Sequence, residues 1–148
     1  MSKGSSTNEL DLPPRYGLGL SGQNNPKQQY IISDIMFDIY DKLKVKATPE
    51  LKIELNELNR RGNIVYVIPD IVIDNGTSGI VFIEICRKAM VSHDTAKLKK
   101  LMVQYRKPNE GFVYDYESSK WYKVVKGKGE RSILNSKSDI LQYEFKLY

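Results

Sequence analysis

Two adjacent apolar runs, each long enough for a β-strand, constrain the fold of this chain more than any other feature. They are NIVYVIPDIVID at residues 63–74 and GIVFIEICRK at residues 79–88, and both are rich in Val and Ile. The segment between them, residues 75–78, contains the turn-forming types Asn, Gly and Ser. The pattern therefore predicts two strands of one hairpin.

Each run contains a carboxylate that has to be explained. Asp70 and Glu84 lie among aliphatic residues, where a buried charge is costly unless it is paired or binds a cation. On neighbouring strands the two side chains would have the layout of a divalent-metal site. The alternatives are an aspartate that hydrogen-bonds to local backbone, and a glutamate paired with Lys52, Arg87 or another cation.

Composition limits the class of protein. The chain has 148 residues, of which 41% are hydrophobic, and this fits one compact domain. A single cysteine and a single histidine exclude a disulfide framework and a zinc site built from several Cys and His ligands. The net charge of +5 suits nucleic acid as a partner. Because no apolar run approaches the roughly 20 residues that a bilayer requires, we expect a cytoplasmic protein without a membrane partner.

The first part of the chain differs in composition from the rest. Residues 1–25 are rich in Ser, Gly, Asn and Pro, which predicts a flexible N-terminal arm. A single domain is predicted over residues 26–148. It begins with apolar residues at spacings of three and four, which predict a helix over residues 26–43.

The other elements follow from changes in periodicity. Alternation of apolar and charged residues predicts a strand over residues 48–56. After the central hairpin, Ser92 or Asp94 could cap a second helix that ends at Tyr105. Residues 110–126 predict another hairpin that turns at 117–120, and residues 139–148 predict a last strand or, starting at Ser136 or Ser138, a short helix. These elements predict an α/β fold of the α+β type, with a central mixed sheet of about four to six strands, flanking helices and the order αβββαββ.

This order, together with Pro69-Asp70 and Glu84-Ile85-Cys86, resembles the core of the PD-(D/E)XK nuclease superfamily, which includes restriction endonucleases, resolvases and repair nucleases. The segments SHDTAKLKKLMVQY and GFVYDYESSKWYKV are similar to short restriction-endonuclease-like proteins with a displaced catalytic lysine. The resemblance covers residues 26–148. It implies an endonuclease that hydrolyses DNA phosphodiester bonds with Mg²⁺ or Mn²⁺. It also implies that Asp70 and Glu84 bind the metal and that the backbone carbonyl of Ile85 or Cys86 adds a ligand.

Cys86 stands where members of this superfamily usually carry lysine. It shares a strand face with Glu84, about 6.6 Å away, and a thiol cannot stabilise developing negative charge as an ammonium does. The missing cation could be Lys88, about 13 Å beyond Glu84 on the same face, or a lysine of the second helix, Lys97 or Lys100. We favour Lys97 because it falls one turn after the helix start.

Further polar residues are candidates for nucleic-acid contacts or for support of this site. The predicted nucleic-acid contacts are the cations Arg87, Lys88, Lys97 and Lys100, although a charged helix face is usually just solvated. Gln29 shares the inward stripe of the first helix and is predicted to support the site. A Cys86-His93-Asp94 hydrolase is an alternative that would need all three side chains to converge.

Three function classes follow from these residues. The first is the metal-dependent endonuclease, with a homodimer as one possible assembly. The second is a catalytically inactive nuclease fold that binds nucleic acid, and the missing strand lysine is its best support. The third is a protein-interaction module whose N-terminal arm engages a partner.

Overall fold

The computed structural model describes residues 25–148, so the predicted arm falls outside the described residues except for Asn25. Within this range the chain forms two α-helices, α1 (Pro26–Leu43) and α2 (Val91–Gln104). The strands, in chain order, are β1 (Ala47–Pro49), β2 (Ile53–Leu58), β3 (Ile64–Val67), β4 (Ile71–Asp74), β5 (Ile80–Cys86), β6 (Asn109–Asp115), β7 (Lys120–Val124), β8 (Ser132–Leu134), β9 (Lys137–Ser138) and β10 (Tyr143–Glu144).

Six strands form one mixed sheet in the order β1-β4-β5-β6-β7-β8. β5 and β6 run parallel, and the other neighbouring pairs of this sheet are antiparallel. Parallel strands need a crossover, and α2 supplies it between β5 and β6. β2 with β3, and β9 with β10, form separate antiparallel ribbons. The predicted class, an α/β fold with a mixed sheet of four to six strands, is confirmed.

The two helices cover opposite faces of this sheet. On one face Ile35 of α1 belongs to the same buried cluster as Ile83 of β5. On the other face Leu98 of α2 belongs to a cluster with Phe82. Successive strand residues point to opposite faces, so β5 contributes to both clusters and is buried along its whole length. Glu84 has the parity of Phe82 and therefore lies on the face that α2 covers.

The first helix has the predicted bounds. Its start is fixed by Asn25, whose side chain accepts the backbone N–H of Gln28 at 2.7 Å, and by Pro26 in the first turn. Lys44, in the left-handed conformation at φ 57°, ends the helix. Residues 25–148 contain two α-helices, and neither α1 nor α2 is long and apolar enough to cross a membrane.

Two predicted strands are each divided in the structure. Residues 48–56 contribute to both β1 and β2, and Glu50 between them has a φ of 49° that a strand does not accommodate. Residues 63–74 are divided at Pro69, which has no N–H for a sheet ladder, so β3 joins β2 while β4 joins the main sheet. The order αβββαββ is therefore wrong in strand number, because five strands precede α2.

Both predicted hairpins are present. β4 pairs with β5 in antiparallel register, with Asp74 opposite Ile80. β6 pairs with β7, with Asp115 opposite Lys120 across the predicted turn. The last predicted strand is reduced to the two residues of β10.

The second helix does not begin at the predicted caps. Met90 precedes its first residue and makes no side-chain capping bond, because a single 3₁₀ turn at Lys88–Met90 leads directly into the helix. Asp94 is instead a buried residue of the first turn. This places an acidic side chain next to the end of β5.

Candidate functional site

Strand register brings Asp70 and Glu84 together. The β4–β5 pairing matches Ile71 with Ile83 and Val72 with Phe82, and one further step of the same register places Asp70 opposite Glu84. The two carboxyl groups are in contact with each other. Opposed positions on neighbouring strands are the closest that two side chains of one sheet face can be. The predicted pair is therefore assembled by the predicted hairpin.

Backbone and side-chain donors orient Asp70. Its Oδ2 accepts the backbone N–H of Ile85 at 2.8 Å. The side-chain amide of Gln28 on α1 lies 3.4 Å from the same oxygen and donates to the carbonyl oxygen of Ile85 at 2.9 Å. Gln29, which the sequence places on the inward stripe of this helix, is exposed instead. The buried stripe of α1 is centred on Ile31 and Ile35, and position 28 is in line with both.

Lys97 reaches the site from α2. Its ammonium nitrogen lies 2.7 Å from Oε2 of Glu84, and its side chain is 30% exposed. The helix starts at Val91 above the end of β5, so the second turn of α2 faces the carboxylates. An ammonium group therefore lies beside the carboxylates, and it comes from α2 rather than from position 86 of the strand.

The other predicted cations lie elsewhere. β5 ends at Cys86, so the alternation of strand faces does not extend to Lys88, which is exposed beyond the strand. Lys88 makes no ion pair with any residue in 25–148. Lys100 pairs with Glu57 at 2.8 Å. Arg87 is exposed and donates to the hydroxyl of Tyr116 at 3.3 Å. None of the three cations is brought to the two carboxylates.

Cys86 is buried and chemically quiet. Burial, followed by the negative charges of Asp94 and Glu84, raises the pKa of its thiol, so the reactive thiolate is suppressed. His93 is close to Asp94, with Nδ1 3.1 Å from Oδ1, but a protonated thiol does not complete the alternative hydrolase. The carbonyl oxygen of Cys86 already accepts the N–H of Tyr116 at 3.0 Å. The sulfur of Cys86 is a poor ligand for Mg²⁺, which prefers oxygen. The carbonyl oxygen of Cys86, like that of Ile85, which accepts the Gln28 amide at 2.9 Å, keeps a second lone pair, so the two carbonyls stay alternatives.

Two acidic residues that the sequence did not assign to the metal site lie beside it. Asp94 hydrogen-bonds to the Cys86 thiol, and Asp115 is the register partner of Cys86 on β6. Oδ1 of Asp115 accepts the N–H groups of Glu117 and Ser118, whereas its Oδ2 is buried and has no hydrogen-bond partner among residues 25–148. Asp115 could have been found only from the parallel pairing of β5 and β6, which brings the carboxyl ends of both strands to one edge of the sheet.

The site holds more negative than positive charge. Burial raises the pKa of Asp70, although the N–H of Ile85 partly opposes it. Burial and then the neighbouring Asp70 raise the pKa of Glu84 well above its ordinary value. Burial works against the ammonium of Lys97, but Glu84, Asp70 and Asp94 outweigh it and raise its pKa. One ammonium therefore faces several carboxylates.

The oxygen atoms present fit a hard divalent cation. Two carboxylates and the carbonyl of Ile85 are the donor types that Mg²⁺ and Mn²⁺ prefer, and Mg²⁺ usually keeps several waters. Uncompensated charge and the orphaned Oδ2 of Asp115 are consistent with a cation nearby. Among residues 25–148 there is no cluster of three or more His, Cys, Asp or Glu side chains suited to a metal ion. A metal here would rest on two side chains and backbone oxygen.

Comparison with known proteins adds little to this picture. No family model matches the chain, and no curated protein matches it. Three chains of solved structures match, and one of them is described as the crystal structure of SSO0001, with 14% identity and a TM-score of 0.47. The match covers 69% of this chain and 52% of the other, so this chain spans about half the length of that protein. A likeness at this level indicates neither a family nor an activity.

Proposed function

We propose that this chain is a divalent-metal-dependent endonuclease that hydrolyses DNA phosphodiester bonds. One observation carries the proposal: Asp70, Glu84 and Lys97, from the start of β4, from β5 and from α2, converge at one place in the fold. Two contacting carboxylates with an ammonium 2.7 Å away form a combination that is costly for stability and suited to phosphoryl chemistry. The resemblance to the PD-(D/E)XK superfamily points the same way.

Asp70, Glu84 and the carbonyl of Ile85 would hold Mg²⁺ or Mn²⁺. When bound, the cation supplies charge stabilisation at the phosphate and activation of the attacking water. The protein's part is to keep these oxygens fixed. The N–H of Ile85 holds the Asp70 carboxylate, and the Gln28 amide bridges that carboxylate and the Ile85 carbonyl. Such preorganisation reduces the rearrangement needed when the substrate arrives.

Lys97 is the proposed electrostatic stabiliser of the transition state. Its raised pKa keeps the ammonium protonated at neutral pH. In this structure Lys97 pairs with Glu84. With a phosphodiester bound, its ammonium would stabilise the negative charge that develops on the phosphate oxygens as water attacks. A lysine on α2 thereby replaces the strand lysine, which weakens the argument that Cys86 makes the fold inactive.

Plasmid nicking tests the proposal. The native protein and the variants Asp70→Asn, Glu84→Gln and Lys97→Gln would be compared with Lys100→Gln, a matched control three residues further along α2 that lies away from the carboxylates. We expect cleavage with Mg²⁺ or Mn²⁺, loss by about a thousandfold in the carboxylate variants, and little change in the control. A rise in melting temperature with Mg²⁺, absent from Glu84→Gln, provides a readout independent of turnover.

Other results would select a different function. Absence of cleavage together with salt-sensitive DNA binding would favour the inactive nucleic-acid-binding fold. Absence of both would favour a protein-interaction module, whose proposed contact, the arm in residues 1–25, falls almost entirely outside the described part of the chain. A cytoplasmic location and a homodimer stay predictions.

A further inference from the structure

A cavity of about 380 Å³ lies at the C-terminal end of α2, away from the carboxylates. It is bounded by the last turns of α2, the start of β6 and the chain after β7. The lining residues are Lys99, Met102, Val103, Arg106, Lys107, Pro108, Asn109, Lys126 and Gly127. Four of them are cations and none is acidic. We refer to this feature as the basic cavity.

The cations of the basic cavity lack acidic partners. Lys99 is buried, and its ammonium donates to the carbonyl oxygen of Val125 at 2.6 Å. Arg106, Lys107 and Lys126 are exposed, and none forms an ion pair with a residue in the described range 25–148. Two other lysines of α2 are paired, Lys97 with Glu84 and Lys100 with Glu57. The cavity therefore concentrates positive charge without compensating it internally.

Part of the negative charge at the helix end is engaged by Asn109. The last carbonyl groups of a helix carry partial negative charge. The side-chain amide of Asn109 donates to one of them, the carbonyl oxygen of Met102, at 3.2 Å, and to the carbonyl oxygens of Tyr105 at 3.4 Å and Lys107 at 2.9 Å just after the helix. The charged side chains that line the cavity are all cations.

We propose that the basic cavity binds a phosphate group of a nucleic-acid backbone, through Lys99, Arg106, Lys107 and Lys126. The inference rests on the proposed function and deepens it, because it adds a second phosphate contact for the same substrate. The last residue of α2, Gln104, follows Lys97 by seven positions, or about 10 Å along the helix axis, and Arg106 lies just beyond this end. That length corresponds to about three phosphates of one strand along the axis of duplex DNA. One strand could thus reach both sites.

Binding measured without cleavage tests this site. Fluorescence anisotropy with a labelled duplex oligonucleotide, in EDTA and over a range of NaCl, would compare the native protein with the double variant Arg106→Gln/Lys126→Gln. Both side chains are exposed, so the fold should tolerate the change, whereas the buried Lys99 is left intact. The control is Lys42→Gln/Lys46→Gln, which removes the same charge from exposed positions at the end of α1 and just after it.

We expect the cavity variant to bind at least about tenfold more weakly at 50 mM NaCl. The slope of log K against log salt should become shallower by about 1.8, because each lost phosphate contact contributes about 0.9. The control should change both quantities much less. Equal losses in the two double variants, or no binding by the native protein, would overturn the site. The four cations would then serve only to stabilise the helix end.

Two further comparisons distinguish a nucleic-acid phosphate from a small phosphate ligand, and failure of the cavity site from failure of the nuclease proposal. If inorganic phosphate or AMP binds the native protein while the double variants bind the oligonucleotide equally, the cavity takes a small phosphate ligand and the backbone proposal fails. If the native protein cleaves nothing but the cavity variant still loses oligonucleotide binding, the nuclease proposal fails and the cavity site stands.

Discussion

Glu84 and Glu110 are two buried glutamates on the neighbouring parallel strands β5 and β6, and their surroundings are opposite in kind. Both are almost inaccessible, with 2% and 5% of their surface exposed. Glu84 contacts Asp70, and no described residue donates to its buried Oε2 in hydrogen-bonding geometry, although the ammonium of Lys97 is 2.7 Å away. Its charge is only partly compensated.

Glu110 is surrounded by donors. Its Oε1 accepts the hydroxyl of Ser138 at 2.6 Å, and its Oε2 accepts the backbone N–H of Asp139 at 2.8 Å. The ammonium of Lys123 lies 3.1 Å from Oε2. These contacts fasten the loop after β9 to the central sheet. A buried carboxylate with this many partners is a structural element.

The difference separates structural from functional burial. Each glutamate has one lysine, but Glu110 adds hydrogen bonds that replace lost hydration, whereas Glu84 adds a second carboxylate. Glu84 loses hydration on burial and faces the negative charge of Asp70, and these two effects raise its pKa well above the ordinary value. Perturbation of this kind is typical of catalytic and metal sites. The comparison predicts that equal substitutions will have unequal effects at the two positions.

The largest effect on stability is expected from Glu110→Gln. The NH₂ group of the glutamine would face the Ser138 hydroxyl or the Asp139 N–H, which both donate to Glu110 in the native protein. Lys123 would also lose the buried carboxylate with which it pairs. We expect a loss of about 3 kcal/mol in the free energy of unfolding, measured by urea denaturation. The melting temperature should fall by roughly 6–12 °C.

Glu84→Gln is the matched comparison for this loss. The same substitution removes the cost of a carboxylate buried against Asp70, and Lys97 keeps the nearby negative charges of Asp70 and Asp94. We therefore expect a change within about 1 kcal/mol. Equal destabilisation by the two glutamine variants would show that Glu84 is as structural as Glu110, and the functional assignment of Glu84 would have to be given up.

A smaller effect is expected from the two lysines. Lys97→Gln should reduce the cleavage rate about a hundredfold, or roughly 2.7 kcal/mol in the activation free energy, since an ammonium at the reacting phosphate is lost. The rise in melting temperature with Mg²⁺ should persist, because the metal-binding oxygens remain. Lys123→Gln should lower stability and leave the cleavage rate of the folded protein unchanged. A Lys97→Gln variant with native activity would exclude Lys97 from catalysis.

The smallest effect is a dependence of stability on pH. Glu84 and Asp70 have raised pKa values, so the folded state binds more protons than the unfolded chain above the ordinary carboxyl range. Without metal, their contribution to stability is therefore present at low pH and lost as pH rises through the folded pKa values. The slope is at most about 1.4 kcal/mol per pH unit for each proton.

Urea denaturation in EDTA at several pH values measures this slope. The double variant Asp70→Asn/Glu84→Gln should flatten the curve above the ordinary carboxyl range. Added Mg²⁺ should stabilise the native protein more as pH rises, because the ligands must be deprotonated. A native curve that coincides with that of the double variant would contradict the proposed burial cost.

Much of the carboxylate site was predictable because it is local. Asp70 and Glu84 meet through one hairpin, and both the strand periodicity and the turn residues were readable in the sequence. Lys97 falls one turn after the helix start that the sequence predicts, and in the structure its ammonium lies 2.7 Å from Oε2 of Glu84. Gln28 rather than Gln29 lies in line with the buried stripe, because a shift of one residue rotates a helix position by about 100°.

Other features depended on contacts that periodicity does not encode. Asp94 was read as a cap because the 3₁₀ turn before α2 leaves no pattern in the sequence. Pro69 was placed inside a strand, although it divides two strands that belong to different sheets. Asp115 was noticed only as part of a hairpin, since its position beside Cys86 follows from the parallel pairing across α2.

The sequence by itself determined the helix over residues 26–43, the β4–β5 hairpin and the opposition of Asp70 to Glu84, because these depend on side-chain period and short turns. The tertiary structure alone decided which buried glutamate is compensated. Ser138 reaches Glu110 across 28 positions of chain, and α2 carries Lys97 back over β5 to Glu84. Hydration lost on burial is replaced by donors from distant elements, and only the packed fold brings those donors into place.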